Sequence, residues 1–262
     1  NNTKSENKKF YAVLFSLAIP LILQNFITSS LNMVDIIMVG SLGETAIAGV
    51  GLGNQIFFLF ALLIFGITSG GAVFTAQYWG NKDLAGVKRV LGITLILGVG
   101  ASLFFTVGSI FFYNEILSLF SRDKAVISAG GEFLKISGYS FTVNAVAVAF
   151  AFQLRCVGKV KMPMFVSLFA LGLNTVLNYI LIFGKLGIPA LGVEGSAYAT
   201  LISRVIEFML IVSLTYFYKY PLAASFREMF AVKMEFMKKF LITALPVIMN
   251  EFIWAAGVTI YA

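Results

Sequence analysis

A small set of polar side chains lies inside long apolar stretches of this chain. Asp35 is the acidic member of the set, and Asn174, Asn178 and Thr200 supply neutral oxygen atoms. One carboxylate with neutral oxygen donors suits a monovalent cation or a proton, whereas a divalent cation normally takes more negative charge. These residue types therefore predict a site for sodium or a proton, provided that the fold brings them together.

Three further ionisable residues interrupt the apolar stretches. Arg204 and Glu207 are three positions apart, so on a helix they share a face and can form a structural ion pair. Glu251 lies about three turns into the last apolar stretch, away from any loop, which predicts a functional role. Two alternatives remain open: Asp35 as an interfacial residue near water, and the asparagines as interhelical hydrogen-bonding groups.

The composition identifies the environment of these residues. Of 262 residues, 59% are hydrophobic and 12% are charged, and the mean hydropathy is +0.92, whereas soluble domains carry about 25% charged residues. So much apolar surface needs lipid around it, which predicts an all-α integral membrane protein. The chain has no histidine and the single cysteine Cys156, so imidazole and cysteine metal sites and an intrachain disulfide are excluded within it.

Six stretches are long and apolar enough to span a bilayer, which takes roughly 20 helical residues. Most lysines and arginines fall in the N-terminal segment and in every second loop. This asymmetry predicts a multi-pass protein of the cell (plasma or inner) membrane with a cytoplasmic N-terminus. Because the basic residues follow this topology, the net charge of +7 does not indicate a nucleic acid partner, and none is expected. The spans are predicted at about 11–39, 50–78, 90–113, 132–154, 163–184 and 195–218, and a seventh begins near 240.

Helix length places the polar residues at a common depth. Asp35 lies about four residues, or roughly 6 Å, from the outer end of the first span. Asn174 and Asn178 share one face in the outer half of the fifth span, and Thr200 lies about one and a half turns into the sixth. Opposite chain directions bring all four to the outer leaflet, so they are the candidate sodium ligands.

The chain also contains an internal repeat. Ala18–Ile27 aligns with Ala244–Ile253, with a shared proline and equal distances back to Phe10 and Phe236. An even number of spans separates the copies, which predicts a parallel repeat and an intact protein of two six-helix lobes. We therefore expect residues 1–218 to form the N-terminal lobe, 219–239 an amphipathic cytoplasmic linker between lobes, and 240–262 the truncated first helix of the C-terminal lobe.

In these features the chain resembles the multidrug and toxic compound extrusion (MATE) family, and the resemblance runs through nearly its whole length. The motif of the fifth and sixth spans is the strongest, and the order and spacing of the motifs together are specific. They are Pro20, Val34–Gly40, Gly70–Gly71, Gln77–Gly80, Arg155–Gly158, Lys161–Pro163, Asn174–Asn178, Phe183–Gly184, Leu191–Gly195 and Ala199–Thr200.

The resemblance implies twelve spans in two bundles and export of amphipathic, often cationic, small molecules in exchange for sodium or protons. It implies a cation site at Asp35, Asn174, Asn178 and Thr200, to which Ser196 adds a backbone carbonyl. It further implies that the first helix bends near Pro20 in some members and that Glu251 serves the second lobe. Some relatives carry aspartate where this chain has Asn178, so the choice of ion stays open.

Two other classes of function fit the sequence less well than transport. A lipid-linked precursor flippase of related two-lobed fold should have a strongly basic cavity, and Arg204 is the only basic residue predicted within a span. A membrane-embedded enzyme or receptor is poorly supported without histidine, paired cysteines or clustered acids. We expect a monomeric, non-enzymatic transporter in the lipid bilayer, with small-molecule substrates and with no cofactor beyond the coupling ion.

Overall fold

The computed structural model describes residues 2–231 and 234–261, except for the side chains at 2–10, 12–18, 20–21, 24, 251–252 and 255–261. Every regular element of the described residues is a helix, which confirms the predicted all-α class. The helices are α1 (Asn2–Gly40), α2 (Glu44–Gly80), α3 (Leu84–Phe111), α4 (Tyr113–Ser118), α5 (Lys124–Ser137), α6 (Ser140–Cys156), α7 (Lys161–Phe183), α8 (Gly192–Phe217), α9 (Phe226–Phe230) and α10 (Met234–Tyr261).

Short polar residues and glycine set several helix ends. Asp83 caps α3 by accepting a hydrogen bond from the Gly86 N–H at 2.8 Å, and Asp123 caps α5 by accepting from the Ala125 N–H at 2.8 Å. Gly184 follows α7 with a φ of 66°, the left-handed conformation that glycine adopts without strain. These local signals place the loops between the long apolar helices.

The predicted spans fall on helices, but one of them is not a single helix. Within the described residues, α2, α3, α7 and α8 are each long and apolar enough to cross a membrane, and α5 with α6 forms a fifth candidate bent by 55°. The span predicted at 132–154 crosses this bend, where the Ser137 hydroxyl donates to Phe133 O and the Ser140 hydroxyl donates to Ser137 O, on either side of Gly138. The count of six spans stays a prediction.

Helix α2 lies at the centre of the bundle and packs against α3, α5, α6 and α10. Its Ile56 and Phe60 are buried with Phe141 of α6 and Leu134 of α5. Facing outward are large apolar side chains such as Phe104, which is 78% exposed. An apolar exterior around a packed interior is the surface that a bilayer stabilises.

Helix α10 packs directly against glycine residues of α2. A Cβ built on Gly70 would stand 2.5 Å from Ala244 Cβ, and one built on Gly66 would stand 2.6 Å from Ile248 Cγ1. Phe240 of α10 is fully buried against this surface. The two glycines therefore allow a close helix approach, as small residues do in membrane proteins.

Segment 219–231 folds back onto α3. Ser225 and Glu228 form a capping box around α9, and Glu228 Oε1 lies 2.8 Å from Lys88 Nζ of α3. The hydrogen bond from Lys88 lowers the pKa of the Glu228 carboxyl to about 2. Met229 is buried against α3. The assignment of 219–239 to a cytoplasmic interlobe linker stays a prediction, and its positions 232–233 lie outside the described residues.

Substitution of Gly92 by Ala should release α9 from α3. A Cβ at Gly92 would collide with the backbone carbonyl of Met229, which cannot move without displacing α9. Overpacking of this kind costs about 1–3 kcal/mol, so amide hydrogen exchange at 225–230 should accelerate by about tenfold. The matched control is Gly100→Ala in the same helix, where a Cβ meets open space. Equal exchange in the two variants would contradict the docking described above.

Candidate cation site and central cavity

A cavity of about 920 Å³ opens among α1, α2, α6, α7 and α8. Seven of the residues singled out in the sequence line it, although they come from three different helices. They are Asp35 of α1, Asn174 and Asn178 of α7, and Ser196, Thr200, Arg204 and Glu207 of α8. The fold therefore brings the predicted cation ligands and the predicted ion pair into one space.

Asn174 connects the other predicted cation ligands. In the amide orientation that its neighbours require, Asn174 Nδ2 donates to Asp35 Oδ2 at 2.9 Å, and its oxygen accepts from the Thr200 backbone N–H at 3.2 Å. Asn178 is one turn further along the same face of α7, and the two amides approach to 3.4 Å. The buried Ser196 lies one turn before Thr200. One asparagine thus joins α1, α7 and α8.

Two oxygen atoms at this place have no hydrogen-bonding partner. Asp35 Oδ1 and Asn178 Oδ1 are both buried and have no hydrogen-bonding partner within 3.5 Å, although the side chains of Asn178 and Thr175 lie close to the Asp35 carboxyl. Buried polar atoms are nearly always paired, because an unpaired one costs about 1–3 kcal/mol. A carboxylate oxygen and an amide oxygen are both ligands for a hard monovalent cation, and a carboxylate also accepts a proton. Within the described residues no cluster of three or more acids, histidines or cysteines could hold a metal ion.

The ion pair expected on α8 is present and has a third member. Arg204 Nη1 lies 2.8 Å from Glu207 Oε2, as the i,i+3 spacing predicts. Ser167 of α7 donates a hydrogen bond to Glu207 Oε1 at 2.7 Å. Glu207 itself is buried, with 6% of its surface exposed. The pair is therefore anchored across two helices and not confined to α8.

Sequence reasoning missed other lining residues. Arg155 follows the span predicted at 132–154, which predicts an inner-loop position, but the structure places it in the last turn of α6, against the cavity. Arg204 is therefore not the only basic residue on the cavity wall. Phe152 lines the cavity one turn earlier, a spacing that extends the cavity face of α6 to Arg155. On α1, Asn32 lies one turn before Asp35 and also lines the cavity.

Two predicted residues have side chains outside the described part of the chain. Pro20 lies within the bounds of α1 and Glu251 within those of α10. Their assigned roles, in helix bending and in the second lobe, stay predictions.

The helices thus surround a largely apolar cavity that carries a small set of polar groups, and their exterior is apolar, which together define an integral membrane protein. This chain belongs to the MatE family, whose family model matches residues 20–180. The resemblance expected from its motifs is confirmed.

Several relatives share this sequence at moderate identity. The probable multidrug resistance protein YoeA of Bacillus subtilis is 33% identical, over 78% of this chain and 44% of that protein. The probable multidrug resistance protein NorM of Thermotoga maritima is 27% identical, over 99% of this chain and 55% of that protein. The chain therefore spans about half the length of these relatives.

Solved structures share the fold. An outward-facing multidrug resistance MATE family transporter of the MOP superfamily matches with a TM-score of 0.82 and 24% identity, over 92% of this chain and 52% of that one. A MOP superfamily transporter from Pyrococcus furiosus matches with a TM-score of 0.79 and 24% identity, over 92% and 52%. These likenesses agree with the membrane-helix bundle described above.

Proposed function

We propose that this chain is the N-terminal lobe of a secondary active efflux transporter, together with the linker and the first helix of its second lobe. It exports amphipathic or cationic small molecules in antiport with sodium or protons by alternating access. The observation that carries the proposal is the Asp35 carboxylate on the cavity wall, with one oxygen held by Asn174 and the other buried and unpaired. The names of the relatives, which are multidrug resistance proteins, point to the same activity.

The coupling ion acts on Asp35. A sodium ion would be held by Asp35 and Asn178, with Asn174 and Thr200 fixing their positions, whereas a proton would bind Asp35 alone. Either ion removes the cost of a buried charge and so favours the conformation in which α1 closes on α7 and α8. Substrate affinity falls in that state, and the substrate leaves outward. Glu251 would provide a similar carboxylate in the second lobe.

The proposal includes a topology. The basic residues of alternate loops support a cytoplasmic side for the N-terminus and for segment 219–239, in a cell (plasma or inner) membrane. The transporter acts as a monomer with two lobes, needs no cofactor and performs no chemical conversion. A flippase is not proposed, because the described cavity wall carries two basic and two acidic residues and not a basic lining.

Transport by the purified, intact protein tests the proposal. Proteoliposomes loaded with the cationic dye rhodamine 123 would be given an imposed sodium gradient or an imposed proton gradient. We expect one of the two gradients to drive dye movement, and an ionophore that collapses that gradient to abolish the movement. The gradient that drives movement identifies the coupling ion. Dye movement that responds to neither gradient would contradict antiport.

A further inference from the structure

A second pocket lies outside the central cavity, between α4 and α5. It has a volume of about 650 Å³ and shares no lining residue with the central cavity. Its wall carries three basic side chains, Arg122, Lys124 and Lys135, and one acidic side chain, Glu132. Three positive charges against one negative charge leave a formal charge of +2 on the pocket wall. The pocket therefore favours an anionic ligand.

The three basic side chains have no acidic partner among the described residues. The ion pairs in that part of the chain join other side chains. The neighbouring Asp123 carboxylate caps α5, where it accepts from the Ala125 N–H at 2.8 Å. Lys135 Nζ lies 4.1 Å from the centroid of the Tyr113 ring, a cation–π contact that holds the ammonium group at α4 and supplies no counter-charge. The pocket thus offers N–H donors and positive charge to an anion.

The wall of this pocket is held in place by the packing of α4 on α5. A Cβ built on Gly131 of α5 would stand 2.6 Å from Cδ2 of Tyr113, so the tyrosine ring occupies the space that the glycine leaves open. Leu117, one turn further along α4, is fully buried in the same core cluster as Leu134 of α5. The pocket is therefore formed before a ligand arrives, which reduces the entropy lost on binding.

Exposed apolar side chains flank the pocket along the chain. Phe111 and Phe112 come directly before α4, and Leu119 and Phe120 come directly after it. All four are exposed, and Leu119 is 82% exposed. The candidate membrane span α3 ends at Phe111, so the pocket lies where the hydrocarbon core of a bilayer gives way to its headgroups. A ligand that fits both features has an anionic head and a hydrocarbon tail.

We propose that Arg122, Lys124 and Lys135 bind the phosphate of an anionic phospholipid. The planar guanidinium of Arg122 suits two phosphate oxygens, and the two lysines add compact positive charges. The acyl chains lie against the exposed apolar side chains before and after α4. Phosphate esters in solution offer the same anion but have no hydrocarbon for that apolar surface. The site does not depend on the transport activity proposed above, and the predicted topology puts it in the outer leaflet.

Amide hydrogen exchange of the intact protein in lipid nanodiscs tests this site. One set of nanodiscs contains phosphatidylcholine alone, and the other contains phosphatidylcholine mixed with phosphatidylglycerol of the same acyl chains. We expect phosphatidylglycerol to slow exchange at 113–124 by about tenfold, the effect of a ligand present at about ten times its dissociation constant.

Two variants separate this pocket from other basic surfaces. Arg122→Gln should reduce the slowing to about twofold or less, because the loss of one charge-assisted contact weakens binding by about tenfold or more. Lys185→Gln is the matched control and should keep the full slowing. Lys185 is exposed in the loop between α7 and α8, on the same predicted side of the membrane, and does not line the pocket. If Arg122→Gln does not fold, Lys124→Gln takes its place with the same expected result.

Three outcomes would overturn the proposal. Equal slowing in Arg122→Gln and wild type would show that the anionic lipid acts elsewhere, such as at the basic loops of the opposite face. Equal exchange of wild type in the two kinds of nanodisc would show that the pocket does not distinguish an anionic lipid. Inorganic phosphate added to phosphatidylcholine nanodiscs should not slow exchange at 113–124, and slowing equal to that by phosphatidylglycerol would indicate a site for free phosphate. None of these results bears on the proposed transport, because no dye movement is measured.

Discussion

Replacement of Asp35 by Asn should reduce ion-driven export to the level of empty liposomes. The amide has nearly the shape of the carboxylate and retains an oxygen that can accept from Asn174, so the contact between α1 and α7 should persist. The substituted group cannot bind a proton near neutral pH and cannot balance the charge of a sodium ion. The variant should therefore bind dye but not couple its movement to a gradient. Initial rates of rhodamine 123 movement in proteoliposomes measure this effect.

A matched control separates this effect from a general loss of negative charge. Glu44 lies exposed in the first turn of α2 and is not part of the cavity wall. Glu44→Gln removes the same charge and should export at the wild-type rate. Coupled export by Asp35→Asn at the wild-type rate would show that the ion binds elsewhere.

Substitution of Gly49 by Ala should destabilise the bundle. A Cβ at Gly49 would stand 2.7 Å from the backbone nitrogen of Gly130 and 2.8 Å from Ala129 Cβ, both in α5. The obstacle is largely backbone, so α2 and α5 must move apart, which costs about 1–3 kcal/mol. The midpoint of thermal unfolding in detergent should fall by about 2–12 °C.

The same helix offers the control for this substitution. Gly51 is exposed, and a Cβ there meets nothing within 4 Å. Gly51→Ala should leave the unfolding temperature unchanged or raise it, because alanine in a helix is favoured over glycine by up to about 1 kcal/mol. A similar loss of stability in both variants would mean that glycine flexibility, and not the contact with α5, is what the helix needs.

Helical periodicity and span counting predicted a common depth for residues that the structure brings together in one cavity. The rise per residue put Asp35, Asn174 and Thr200 at one depth, and the structure joins them through a single asparagine. Their adjacency could not be predicted, because depth says nothing about which helices are neighbours. The contacts of α7 with α1 and α8 depend on packing among all the helices.

Three features of the structure could not be predicted from the sequence, and each has a physical reason. Arg155 was assigned to a loop because basic residues near span ends mark the cytoplasmic side, but α6 continues to Cys156 and turns Arg155 to the cavity. The bend between α5 and α6 could not be predicted from hydropathy, because hydropathy measures the transfer of a segment to lipid and carries no information on the direction of the helix axis. Nothing in the sequence indicated a role for Ser167, because a lone serine in a span usually donates a hydrogen bond to a backbone carbonyl of its own helix.

The contact between α2 and α10 determines where the chain can be cut into fragments that keep their packing. The sequence repeat restarts near residue 240, so a boundary drawn from the sequence falls inside α10, which begins at Met234. The packing boundary is elsewhere, because Phe240 and Ala244 are fully buried on the glycine surface of α2. A fragment that ended at 239 would expose that surface as an open groove. Helix α10 is consequently part of the packed core of this chain, and a cut at 239 would remove one side of that core.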